Sequence, residues 1–365
     1  MSEIDKDTLD YLKKIEVKDS FALASTRFNY RHLSTGIFTL DLALGGGIPE
    51  SGITLIYGQE ASGKSTLTLK LIASCQEKYP NLTPVIVDLE GTIRPNMDWV
   101  ISNGVDPERL YILDNVIGEK AVDAIVKILQ DPNVPLVILD SIPALVSEKR
   151  WENSVEDQVM AEFAKLVQPL VQKVNNVIIS QRKNGLHKTL VIVNQWRQKA
   201  GFVMGDPRIL PGGRAQHFFS ICKVELFNKE QLGKTTEGFL TADHNDHSFK
   251  VSKYKVMSSP FKEGEYTLCR NPDGELPPGT IDDFTTVVNV AQKFGIVHGA
   301  GQSWGMYSAL TGEDLKFKTK QDITTYMIST PDEYDEMKKF LVLSMRKKLG
   351  LNQDIYKPEY NIESK

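Results

Sequence analysis

The chain has 365 residues, of which 41% are hydrophobic and 25% charged, and a formal net charge of −4. That is enough chain for one large domain with smaller appendages. The charge balance excludes a global positive field, so any anion site has to be local. Three cysteines, Cys75, Cys222 and Cys269, are far apart, odd in number and match no metal spacing, which points to free thiols in a reducing compartment. No apolar run approaches the roughly 20 residues a spanning helix needs, and the charged opening "MSEIDKDTLDYLKK" reads as no secretory signal. The expectation is a soluble, cytoplasmic protein with no membrane partner.

In chain order, residues 4–16 predict a short helix with Leu9, Leu12 and Ile15 on one side, and "SFALAS" follows as an extended segment. Such an arm has too little core to fold alone and has to dock, either on its own body or on a neighbouring subunit. From Ser34 the pattern changes. Short apolar runs at 52–58, 84–90, 134–141 and 189–195 alternate with helical patterns at 64–78, 119–130 and 156–174. Apolar strands separated by helices mean a mostly parallel sheet covered on both faces, hence an α/β fold. Three of the runs end in polar residues, Glu90, Asp140 and Gln195. Sites in open parallel sheets form at the carboxyl ends of strands, so these three predict one site. Beyond Leu268, "RNPDGELPPGT" is rich in turn formers and marks a boundary. A helix from Phe284 closed by Gly295 and another from Pro331 to near Gly350 give a small α+β domain over 271–365, with polar, frayed last residues.

The strand at 52–58 runs into "GQEASGKST", a full match to G-x-x-x-x-G-K-[ST] through Gly58, Gly63, Lys64 and Ser65. Glycines there let backbone N–H groups wrap an anion, and the following helix adds the partial positive charge of its N-terminus. The expected nucleotide cradle is Gly58, Gln59, Glu60, Ala61, Ser62, Gly63, Lys64, Ser65 and Thr66. Lys64 is expected to reach the outer phosphates of ATP, and Ser65 to hold Mg²⁺. Asp140, at the tip of an apolar strand, is the expected second magnesium ligand, the alternative being a carboxylate that only caps the turn. Glu90 is placed to activate the water that attacks the γ-phosphate, with Asp88 as a rival base.

Between Gln181 and Arg214 the chain carries Arg182, Lys183, Lys188, Arg197, Lys199, Arg208 and Arg214 against a single acid, Asp206. Phosphate contacts from such a run give sequence-independent binding; a solvated charged surface is the bland alternative. The run holds the glycine-rich "GFVMGDPRILPGG", whose apolar tips suit a loop slipping between bases. A last feature is "FKVSKYKVMSSPFK" (249–262). A period of two puts Phe249, Val251, Lys253, Lys255 and Met257 on one face, which opens with two apolar residues and then carries two ammonium groups. An exposed strand end with snorkelling lysines is the bland account.

"LSTGIFTLDLALGGGIPESGITLIYGQEASGKSTLTLKLIA" (33–73), "VILDSIPAL" (137–145), "VNQWRQKAGFVMGDPRILPGG" (193–213) and "KYKVMSSPFK" (253–262) resemble, in order, the RecA recombinase family. The resemblance covers roughly residues 33–300. It implies a RecA-like P-loop ATPase core over 34–270, an N-terminal polymerisation arm over 1–33 and the small C-terminal domain over 271–365. It also implies ATP and Mg²⁺ as cofactors and helical filaments on single-stranded DNA with ATP at subunit interfaces. Further implications are pairing with homologous duplex, strand exchange in recombination and repair, and recombination mediators and single-strand-binding protein as partners. Position by position, Glu90 is similar to the catalytic glutamate and Gln195 to the glutamine that senses the γ-phosphate. Trp99 is similar to an aromatic packed on adenine, a core tryptophan being the alternative. DNA-binding loops are implied near 148–160 and 197–214, the latter through Arg197, Lys199, Arg208, Gly212, Gly213 and Arg214. Lys253 and Lys255 resemble paired lysines extended to the neighbour's ATP. The segment "EKRWENSVEDQVM" departs from the family in its acids and missing glycines, "SQRKNGLHK" (180–188) reads as a surface insertion, and the C-terminal region lacks a strongly acidic tail, which suggests a diverged, phage-type member. The rivals are a RecA-fold hexameric motor and a non-catalytic, nucleotide-switched mediator.

Overall fold

The computed structural model describes residues 5–14, 30–147, 159–198, 206, 208–234, 240–257, 259–270 and 276–351. Two units separate, Met1–Tyr30 and Arg31–Lys365. The first contains helix α1 (Lys6–Lys14), with Asp7 in its first turn, where the helix dipole favours an acid.

In the second unit a two-stranded ribbon, β1 (His32–Leu33) with β2 (Ile48–Pro49), flanks helix α2 (Phe38–Leu44). The main sheet then takes β3 (Ile53–Gly58), β4 (Val85–Asp88), β5 (Tyr111–Leu113), β6 (Leu136–Asp140) and β7 (Thr189–Gln195). A further short ribbon, β8 (Arg197–Gln198) with β9 (Arg208–Ile209), precedes the long strands β10 (Cys222–Lys234) and β11 (Leu240–Tyr254) and the edge strand β12 (Glu263–Cys269). Its order is β12-β11-β10-β3-β7-β6-β4-β5; β10 through β5 run parallel, and β11 and β12 are antiparallel. Helices α3 (Lys64–Lys78), α4 (Met97–Ser102), α5 (Gly118–Gln130), α6 (Val159–Lys183) and α7 (Ala215–Phe219) complete this core. The expected α/β architecture is present, because near-continuous apolar strands need cover on both faces. Within one strand, Ile138 packs with Leu67, Leu71 and Ile72 of α3, whereas Val137 and Leu139 pack with Ile125 and Leu129 of α5 and Val171 of α6.

After the sheet come α8 (Phe284–Lys293), a three-stranded antiparallel sheet of β13 (Val297–Ala300), β14 (Ser303–Tyr307) and β15 (Asp314–Phe317), then α9 (Lys320–Ser329) and α10 (Pro331–Lys348). The small sheet and α9, which begins at a Thr319–Asp322 capping box, carry too little periodicity to be read from sequence. These elements share a hydrophobic cluster that also takes in Phe38 and Leu42 of α2.

Three expectations need correction. The strand expected to end in Glu90 stops at Asp88, which pairs with Asp140 across the sheet; Glu90 lies two residues beyond. Residues 180–183 finish α6, and His187 and Lys188 are buried, so 180–188 is no surface insertion. The single-face reading of Phe249, Val251, Lys253, Lys255 and Met257 also fails. Val224 pairs with Val251 but Lys223 pairs with Lys253, so Ser252 is an extra residue, a β-bulge. Its parity shift keeps Phe249 and Val251 in the core, brings Tyr254 against the same cluster, and turns Lys253 to the other face. The strand ends at Tyr254, before Lys255.

Lys188 is fully buried, and its ammonium donates to Asp131 O and, at 2.7 Å, to Val134 O. Lys188→Met leaves both carbonyls without that donor. It is expected to destabilise the protein by about 1–3 kcal/mol in chemical denaturation.

Candidate functional site

Gly58 ends β3 and opens the phosphate loop. A Cβ there would lie 2.4 Å from Leu226 O and 2.5 Å from Ser62 Oγ, so only glycine fits between the loop and β10. Gly63 takes φ 85° as the N-cap of α3, with the ring of His247 3.0 Å from where a Cβ would stand. Helix α3 starts at Lys64 immediately behind it, so its first N–H groups face the loop. The Lys64 ammonium donates to Gln59 O and lies 3.4 Å from Ser62 Oγ. Burial lowers its pKa, an effect opposed by Asp140, Glu90 and Glu60.

The neighbouring strand ends bring the acids together. Ser65 donates through Oγ to Asp140 at 3.2 Å, and Ser141 donates to Glu90 at 2.5 Å. The Asp140–Ser141 peptide is cis. Asp140 is 5% exposed, and burial, then Glu90, push its pKa up to about 7 against the help of Ser65 and Lys64. Asp88, the rival base, is buried and spends one carboxylate oxygen on the Ile93 amide at 2.8 Å. Glu90 is exposed, which leaves it the reachable carboxylate. Among the described residues no group of three or more His, Cys, Asp or Glu forms a ready-made metal cage. Ser65 beside Asp140 fits magnesium, which takes one or two protein oxygens and completes its shell with phosphates and water.

Gln195 ends β7 directly beside Gly58, and the next amide, Trp196 N, donates to Gly58 O at 3.1 Å. The preceding residue carries a network that sequence reading missed. Asn194 is fully buried and donates to Pro211 O at 2.9 Å and to Gln216 Oε1 at 2.8 Å, while Gln216 donates to Pro211 O at 2.5 Å. The two ends of the 196–210 segment are thereby tied together. The only advance signal was two amides flanking a basic, glycine-rich run.

Of the expected DNA-binding residues, Arg197 and Arg214 are exposed. Arg208 pairs with Asp206 at 2.8 Å and lies over the Trp196 ring at 5.1 Å. Gly212 is buried, with positive φ, and faces Val167 and Ile142 closely; Gly213 faces Ala164. Lys199 and residues 148–158 of the first expected loop lie outside the described residues. Of the other basic residues counted there, Lys188 is buried and Arg182 donates to Ser51 O at 2.5 Å, so neither belongs to an open DNA-facing surface. Trp99, on α4, is half-buried against the core, with the Arg270 guanidinium 5.9 Å from its ring.

Lys253 and Lys255 sit apart from this cluster. Lys253 Nζ donates to His217 O at 2.5 Å and Phe218 O at 3.1 Å, closing the end of α7, and Lys255 lies over the Phe218 ring. Phe218 is 71% exposed. Burial, then Lys255 and Lys223, lower the Lys253 pKa to about 8. Lys255 N bonds Ile221 O, and Ile221 N bonds Ile53 O, so Lys255 is level with the first residue of β3. Gly58 is five residues further along, about 16 Å at the rise of a strand.

A glycine-lined phosphate loop between a buried parallel strand and a helix, with acidic neighbouring strand ends, defines a P-loop nucleotide-binding α/β protein. The family model described as RecA N-terminal domain matches residues 6–272. Protein RecA of Aquifex aeolicus is 30% identical over 310 residues, covering 84% of this chain and 81% of the relative. Protein RecA of Trichodesmium erythraeum is 34% identical over 272 residues, covering 74% and 71%, and that of Synechococcus elongatus is 29% identical over 331 residues, covering 91% and 85%. The chain belongs to the RecA family, the general class of RecA-type recombinases and ATPases. Among the described residues no helix is long and apolar enough to cross a membrane.

The raised Asp140 pKa has a defined sign. Between about pH 4 and 7 the folded protein holds a proton that the unfolded chain has released, so nucleotide-free stability falls as pH rises through this window. The cost is fully present above pH 7. Denaturation midpoints across pH 4–8 are expected to show a shallower fall for Asp140→Asn than for the parent, with Asp283, raised to about 6 by burial, supplying a residual slope of the same sign.

Proposed function

We propose that this chain is a cytoplasmic, DNA-dependent ATPase that forms filaments on single-stranded DNA and catalyses homologous pairing and strand exchange. The observation that carries the reading is the junction of Gln195 with Gly58. The strand end beside the phosphate loop is also the start of a basic segment, so nucleotide state and loop position share one hydrogen-bonded seam. Residues 34–270 form the ATPase core, 1–33 the arm that strings subunits together, and 271–365 a C-terminal domain.

Lys64 and the loop amides hold the phosphates, and Ser65 and Asp140 hold Mg²⁺, which supplies charge neutralisation of the outer phosphates. Glu90 accepts a proton from the attacking water while Ser141 orients its carboxylate. Gln195 reads the γ-phosphate and orders the segment 197–214, where Arg197, Lys199, Arg208 and Arg214 meet the DNA backbone. Trp99 packs against the base. The position of Lys255 at the sheet end opposite Gly58, with Lys253 beside it on the face of α7, supports their acting on a neighbour's nucleotide as cations supplied in trans.

Four measurements test this. ATP turnover is expected to rise on adding single-stranded DNA, and imaging with an ATP analogue is expected to give helical filaments; closed rings and a DNA-independent rate would overturn the proposal. Glu90→Gln is expected to bind ATP and DNA normally while hydrolysis slows about 10²–10⁴-fold; full turnover removes Glu90 from the role. Mixing Lys253→Ala with Lys64→Ala subunits is expected to restore part of the activity each lacks alone, and no restoration argues for action in cis.

A further inference from the structure

Helix α2 ends in three glycines, all with positive φ, and its last carbonyls need donors from elsewhere. Three distant side chains supply them. Ser259 Oγ donates to Ala43 O at 2.5 Å, Tyr254 OH to Leu44 O at 2.6 Å, and Arg346 Nη1 to Gly45 O at 2.6 Å. The first two belong to the segment that carries the lysine pair, since Tyr254 lies between Lys253 and Lys255. The third comes from α10, 301 residues after its acceptor. Arg346 is 5% exposed and touches that segment as well, its Nη1 lying 3.8 Å from Met257 Sδ. Gly45 leaves the space in which they meet: a Cβ would stand 2.5 Å from Met257 Sδ and 3.1 Å from Arg346 Nη1.

The other end of α2 is held from the same region. Phe38 N donates to the buried carboxylate of Asp283 at 3.0 Å. An acid at the N-terminus and a cation at the C-terminus both match the helix dipole. Phe38 and Leu42 pack with Val287, Met337, Leu341 and Val342, so α2 shares its core with the elements after 283. The lysine-bearing segment therefore hangs on a helix end whose charged donor belongs to the C-terminal region.

We infer that Arg346 is a positioning residue for Lys253 and Lys255, through which the C-terminal region sets the rate of nucleotide turnover without touching nucleotide. This rests on the role proposed above for the lysine pair. Arg346 fixes the seat of Tyr254 and Met257, and the two ammonium groups flanking Tyr254 take their direction from that seat. A guanidinium loosened from Gly45 leaves ATP binding intact and misaligns the lysines.

The test measures DNA-stimulated ATP turnover against ATP concentration, and binding of a fluorescent ATP analogue, for the full chain. The variants are Arg346→Gln, Arg346→Lys, Lys253→Ala and the double variant Lys253→Ala with Arg346→Gln. Arg346→Gln is expected to lower kcat about tenfold with KM and analogue affinity unchanged, and Arg346→Lys to recover part of the loss. In the Lys253→Ala background, Arg346→Gln is expected to cost less than it does alone, because one of the two lysines it positions is already gone. An unchanged kcat for Arg346→Gln, or a full additional loss in the double variant, overturns the inference. Wild-type turnover by Lys253→Ala instead overturns the reading of the lysines themselves. Should Arg346→Gln not fold, Tyr254→Phe removes a single hydroxyl from the same seat and carries the same comparison.

Discussion

A parallel sheet buried on both faces leaves its chemistry nowhere to go but the strand ends. Each interior position of β3, β6 and β7 is closed off by helices, so a charged side chain survives only where the strand stops. Asp88, Asp140 and Gln195 stand at the ends of the adjacent strands β4, β6 and β7, with Glu90 two residues beyond β4. The result is a crowd of carboxylates around one half-buried lysine, Lys64. Burial and mutual repulsion keep Asp140 far above an ordinary aspartate. The fold itself thus sets the electrostatics of the strand ends around the phosphate loop.

From this cluster a continuous set of polar contacts leads across the molecule. Gln195 adjoins the phosphate loop; Asn194, one residue back, grips Pro211 and Gln216; Gln216 belongs to α7; and the last carbonyls of α7 accept from Lys253. The Asn194 bonds in this path are buried, and the Lys253 bond to His217 O is half-buried. The chain of contacts runs from one end of the sheet to the other.

Much of this was legible in the sequence, for identifiable reasons. The phosphate loop and the apolar strands are local patterns with strong physical grammar, and Glu90, Asp140 and Gln195 could be placed because each closes or just follows an apolar run. What escaped is what depends on register and on distant partners. A single extra residue, Ser252, sends Lys253 to the opposite face from Val251, and nothing in "KVSKYK" announces a bulge. Lys188 looked like surface charge because a buried lysine is rare; only the folded chain brings the carbonyls of Asp131 and Val134 to meet it. Asn194 and Gln216 are ordinary amides until their partner carbonyl at Pro211 is in view.

The run "LDLALGGGIP" shows why a strongly patterned sequence can still hide its purpose. Its periodicity gives a seven-residue helix, too short to be stable from its own hydrogen bonds. It persists because Leu40, Ala43 and Leu44 belong to the sheet's core while Phe38 and Leu42 belong to the C-terminal one. A helix with two cores and capping partners from three distant segments is fixed by all of them together. Its last carbonyls are shared between the chain just after β11 and the last helix, so the two meet on one short helix end.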